Sequence, residues 1–182
     1  GIALPLGLML TTQPFALAMI RIIEVTFEMA HREDVMVSFS EAADDHILDE
    51  IARMPGVLRV EPVRSTDVIF EFGSRSRRNA LQGVPASVAL NRTLDENLQQ
   101  VFPRPDGLTL AVNLADKLGV VPGDTVRVQA TDGHRASALL PVVAIVKPYL
   151  AGSAYLEIEA LGRLLREPGR VTAAYLLFDS RY

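Results

Sequence analysis

The sequence predicts an α+β domain in which one sheet is interrupted by a small β-rich insertion. Three observations predict it. A β-α-β-β order is readable from Val35 to Phe72, a lone α-β pair returns at Tyr155 to Phe178, and the stretch between them is rich in turns and short alternating runs. A split unit of this kind places the late strand, Thr172 to Phe178, in the sheet begun by Val35 to Phe39.

The elements follow in order. Asp34 to Ser40 alternates, with Val35, Val37 and Phe39 on one face. Asp44 or Asp45 can cap a helix whose apolar positions are Ile47, Leu48, Ile51 and Met54, and Pro55-Gly56 stops it. Val57 to Val60 starts a second strand and Thr66 to Phe72 a third. Gly73 marks a turn, and Arg78 to Val84 continues as a strand. Between Ser87 and Val101 the pattern is less regular and suggests a short helix around Leu94 and Leu98, before the loop Pro103-Arg-Pro-Asp-Gly107. Leu108 to Leu110 is a short strand. Thr125 to Ala130 and Ala136 to Lys147 form a hairpin around Thr131-Asp-Gly-His134, with Pro141 marking an edge or a bulge. Tyr155 to Arg166 reads as a helix carrying Leu156, Leu161, Leu164 and Leu165. The run Leu139, Leu140, Val142, Val143, Ile145 and Val146 reads as core rather than as the lining of a channel.

Composition narrows the function classes. The 182 residues are 49% hydrophobic, enough for a real core in one medium domain or two small ones. A net charge of −4, no Trp and few aromatics argue against nucleic-acid binding. With no Cys there are no disulfides, thiolate metal sites or Cys nucleophiles.

Residues 1–20 carry no charge, near the length needed to cross a bilayer. Pro5, Thr11, Thr12, Gln13 and Pro14 weaken that reading, and no basic start or small-residue cleavage site marks a signal peptide. Three readings stand: the outer part of a membrane helix, a buried soluble segment, or a signal remnant. From Phe15 to Arg32 the apolar positions Phe15, Met19, Ile22, Ile23, Phe27 and Ala30 recur at helical spacing. Either a stalk leaving a membrane or an ordinary surface helix fits them.

The densest signal is Leu114-Ala-Asp-Lys-Leu-Gly-Val-Val-Pro-Gly-Asp-Thr-Val-Arg-Val128. It reads as a helix with Leu114 and Leu118 on one face, a cap at Gly119, a turn at Gly123 and Asp124, then a strand. The segment resembles the LA-x-x-LG-x-x-x-GD-x-V-x-V stretch in extracytoplasmic domains of FtsX/MacB-type ABC transporter permeases. Pro55-Gly56-Val57, Val60 and Pro62 are similar to a "PGV-x-x-V-x-P" phrase near the opening of MacB-like periplasmic domains. The resemblance extends over roughly Phe15 to Asp179. It implies a porter-like βαββ…αβ subdomain over 34–72 and 149–182, an inserted β-rich subdomain over 73–148, and a membrane-proximal apolar segment and stalk helix over 1–33. It further implies that both ends leave from one side, where two membrane helices receive them. The cell membrane would then hold the protein, with this domain on the extracytoplasmic side. A separate cytoplasmic ATPase subunit or domain would be a partner, and an extracytoplasmic protein partner or a homodimer is allowed.

Tests for chemistry come back empty. Lys117 and Lys147, the only lysines, do not follow Gly, so no phosphate-binding Gly-Lys-Ser/Thr loop exists and no cofactor is expected. His46 and Glu50 sit at i, i+4 without a third metal ligand, and Asp44, Asp45 and Asp49 read as capping and solvated carboxylates. No Gly-x-Ser-x-Gly elbow is present. Asn91-Arg-Thr93 matches a glycosylation acceptor, a pattern common by chance. Arg75, Arg77 and Arg78 follow the Gly73 turn, either as a contact for lipid headgroups, an acidic partner or an anionic substrate, or as a charged edge that blocks strand aggregation. The expectation is therefore a non-enzymatic permease domain that couples ATP hydrolysis to transport or to a mechanical signal. The alternative is a free-standing binding domain using the cleft between its two parts.

Overall fold

The protein is described from a computed structural model over residues 32–131, 135–148 and 153–179. The expectations for residues 1–31, and for the tip of the Thr131–His134 turn, lie outside the described residues.

Strand β1 (Val35–Asp44) leads through helix α1 (His46–Ala52) into β2 (Val57–Phe72) and β3 (Arg75–Val84). An irregular stretch follows, then β4 (Leu108–Ala111), α2 (Val112–Leu118), β5 (Thr125–Ala130) and β6 (Ser137–Val146). The chain closes with β7 (Ala154–Glu157), α3 (Ile158–Leu165) and β8 (Arg170–Phe178). Two bodies result. Strands β1, β8 and the first half of β2 form an antiparallel sheet, with Val35 opposite Leu176 and Val60 also opposite Leu176. The second half of β2 joins β3, β7, β4, β6 and β5, and β5 pairs back onto β2, closing a barrel. The late strand thus returns to the first sheet, as the split sequence order predicts.

Alternation explains the barrel. Val68 and Phe70 on β2, and Val126 and Val128 on β5, are fully buried, while the flanking Asp67 and Glu71 and the intervening Arg127 are on the opposite face. Leu114, Ala115 and Leu118 of α2 and Leu161 and Leu165 of α3 pack onto the same core. Burial at this scale supplies the main driving force, about 1.5–3 kcal/mol for each large aliphatic side chain taken from water. A smaller cluster holds α1 to the sheet through Ile51, Ala174 and Leu176.

The structure corrects several local expectations. Val57–Val60 and Thr66–Phe72 are one 16-residue strand. Pro62 suggests a break, yet at that point β2 has β8 on one side only, so the missing N–H is tolerated. No helix forms around Leu94 and Leu98. Asp95 Oδ1 accepts the amides of Asn97 and Gln99 instead, and Leu98 adopts φ 61°. Tyr155 is not helical: Ala154–Glu157 is a buried strand, and Glu157 caps α3 by accepting the amides of Glu159 and Ala160. Pro141 pairs with Thr125 of β5 on one side only, because β4 joins β6 from Val142 onward, and a register shift opposite Leu108 and Thr109 follows it, so it sits at a local edge just before a bulge. Within the apolar run of β6, Val142 is buried but Leu139 is 63% exposed.

Candidate functional site

The two ends of the described chain meet. The start of β1 lies beside the end of β8, and the contact is clasped from several directions. The Asp34 amide donates to the Leu176 carbonyl at 2.9 Å, and the Asp34 carboxylate accepts the Phe178 amide at 2.8 Å. The Asp179 amide donates to the Gly56 carbonyl at 2.8 Å.

A strap, residues 85–106, crosses the sheet beside this point. Its anchor is Glu61, only 5% exposed, whose two carboxylate oxygens accept the amides of Ala89 and Leu90. Arg59 Nε donates to Glu61 Oε1 at 2.8 Å and balances the charge. The Arg32 amide donates to the Leu90 carbonyl, and Asn91 donates to Glu33, so the strap also holds the incoming chain. Further along, Lys147 pairs with Glu96 at 2.7 Å, and the Glu96 hydrogen bond holds the ammonium pKa above its ordinary value. Tyr175 lies under the strap. Its hydroxyl pKa is raised first by burial and then by the Glu33 charge, against a lowering hydrogen bond with Asn91.

Where sheet and barrel meet, a polar cleft of about 590 Å³ opens between Ser40, Glu41, Arg64, Thr66, Glu167 and Arg170. Arg64 is 5% exposed and pairs with Glu167 through Nη2, while its Nε is buried without a hydrogen-bond partner. Thr172 Oγ1 accepts the Ser65 amide and donates to the Val63 carbonyl, stitching β8 to β2 beside them.

The three arginines after Gly73 do not form one patch. Cross-strand register sets Arg75 opposite Phe72 and Arg77 opposite Phe70, whereas Arg78 sits opposite Ile69 on the other face. Arg78 pairs with Asp67 at 2.9 Å, Arg77 donates to the Ser76 carbonyl, and the Arg75 guanidinium covers Gly119 at the end of α2. Gly119 has φ 72° and ψ 38°, and Gly123 has φ 100°. Asp124 accepts the Val121 amide through Oδ2, and its carbonyl accepts the Val142 amide.

Chemically, the described residues assemble little. Asp44, Asp45 and His46 bring ligand atoms within 4.8 Å of one another, but all three are exposed on consecutive residues where β1 gives way to α1. Glu50 does not join them. Among the described residues no helix is long and apolar enough to cross a membrane. Sequence reasoning missed Asp34, Glu61, Arg64 and Glu167. A weak signal existed for two of them: Glu61 and Arg64 flank the apolar Pro62-Val63 step of a strand that also carries Arg59, Ser65, Thr66, Asp67 and Glu71, so nothing local set them apart.

No known protein family and no curated protein matches the chain. Solved structures do match in fold. The extracellular domain of the noncanonic ABC-type transporter YknZ from Gram-positive bacteria superposes with a TM-score of 0.53 at 14% identity, covering 80% of this chain and 82% of that one. The periplasmic region of MacB from Actinobacillus actinomycetemcomitans gives a TM-score of 0.52 at 11% identity, covering 81% and 74%. At these identities the likeness is one of fold, and this chain shares the architecture of extracytoplasmic transporter domains.

Proposed function

We propose that this chain is a non-catalytic extracytoplasmic domain of an FtsX/MacB-like ABC transporter permease. In this role it moves with, or signals to, a separate cytoplasmic ATPase across the cell membrane. The observation that carries the reading is that the start of β1 and the end of β8 adjoin, at Asp34 and Phe178. A domain with adjoining ends fits between two neighbouring membrane helices without strain. The fold likeness to two transporter domains supports it, as does the uncharged tract over 1–20.

The test is topological. A cysteine replaces exposed Lys117 in the gene product as the cell makes it, and intact cells are treated with a membrane-impermeant maleimide. Labelling of the variant above the parent is the expected result. Labelling only after lysis would overturn the proposal. The alternative, a free-standing binding domain, draws on the polar cleft. It requires that the labelled protein be released from membranes by high salt or carbonate.

A further inference from the structure

Among the described strands, β2 alone belongs to both the sheet and the barrel. The exchange takes place in one step: Val63 is the last residue paired with β8, opposite Ala173, and Arg64 is the first paired with β3, opposite Gly83. The chain's final crossing, from α3 to β8, passes through Glu167. The Arg64–Glu167 ion pair therefore ties the first crossing to the last.

Open space flanks this step. Arg64 borders both the solvent-open polar cleft of about 590 Å³ and a second open concavity of about 60 Å³ under the strap. The ion pair itself is incompletely satisfied, since Arg64 Nε has no partner. Glu41 and Arg170, both exposed, line the cleft. The far side of the sheet is held firmly by the strap at Glu61. A single shared strand with space beside it and a tether on one flank has the anatomy of a hinge.

We propose that the barrel pivots against the three-stranded sheet about Val63–Arg64, with the Arg64–Glu167 pair as the latch that holds the arrangement seen here. The motion opens or closes the polar cleft. The hinge rests on the shared strand, the ion pair and the open cleft, and does not depend on where the domain is located in a cell.

Because the chain has no cysteine, paired labels report cleanly. Spin labels at Asp49→Cys on α1 and Lys117→Cys on α2 read the distance between the two bodies. With the latch intact, a dominant narrow distance is expected. In Glu167→Gln, and in the shape-compensated double variant Arg64→Met/Glu167→Met, the distribution should broaden about twofold while the circular dichroism spectrum stays unchanged. An unchanged distribution in a folded variant overturns the proposal. Should both variants lose their fold, hydrogen exchange on the unaltered chain decides. The Ser65 amide should exchange at least about tenfold faster than those of Phe70 and Val128, because hinge opening exposes it without barrel unfolding. Equal protection at all three overturns the hinge.

Discussion

The carboxylate of Asp34 accepts a 2.8 Å hydrogen bond from the backbone amide of Phe178, across 144 residues of sequence. The bond fixes the start of β1 against the end of β8, at the edge of the sheet farthest from the barrel in the strand order. An Asp34→Ala variant should lose about 1 kcal/mol, since the bond is charge-assisted but solvent-exposed. Exchange of the Phe178 amide should accelerate while that of Val128 does not. An unaltered Phe178 rate would mean that the β1–β8 ladder alone holds the ends together.

Glu61 predicts a larger effect. It is buried, and three donors converge on its two oxygens. Truncation in Glu61→Ala leaves two strap amides without acceptors and should cost about 2–4 kcal/mol in chemical denaturation. Because the strap is a surface segment, proteolysis between residues 85 and 106 should quicken more than cleavage within the barrel. A stability loss without new cleavage in the strap would show that Glu61 supports the sheet rather than the tether.

These two residues also mark what the sequence conveys and what it hides. Period-two alternation made the barrel strands around Phe70 and Val128 readable, because one face of each is wholly buried. The return of β8 to β1 followed from the split element order. Barrel closure through β2 and β5 did not, since pairing between distant strands leaves no local pattern. Tyr155 and Leu156 misled because a short buried strand running straight into a capped helix carries apolar residues at helical spacing. The clasp, the strap anchor and the latch were invisible for a related reason. Each joins polar residues far apart in sequence, and a lone Asp, Glu or Arg looks the same whether solvated or paired.

Alkaline pH should loosen the fold through two tyrosines. Burial raises the hydroxyl pKa of Tyr155 and Tyr175 above the ordinary 10.0. A group whose folded pKa is raised contributes stability that is fully present below its unfolded pKa. That stability is lost as pH rises through the unfolded value toward the folded one, because the unfolded state ionises first. Unfolding midpoints should therefore fall from about pH 10 upward. In Tyr175→Phe the fall should be shallower, with little change in midpoint at pH 7. A variant with the same alkaline slope as the parent would assign the effect to other groups.

The last prediction concerns Arg75 and Gly119, where the helix-ending residue and an exposed arginine share one space. Gly119 adopts φ 72°, a conformation that costs a residue bearing Cβ about 1–2 kcal/mol. Any Cβ there would also run into the Arg75 guanidinium. Gly123 has φ 100° but open space around its missing Cβ. Gly123→Ala should therefore show backbone strain alone, whereas Gly119→Ala carries strain plus displacement of Arg75. A double-mutant cycle separates the two terms. Arg75→Ala removes the obstructing side chain, so in that background Gly119→Ala should cost less than it does alone, by about 0.5–1 kcal/mol. Gly123→Ala should cost the same in either background. Full additivity for the Arg75–Gly119 pair would show that the guanidinium swings away freely, and that conformation alone selects glycine at the end of α2.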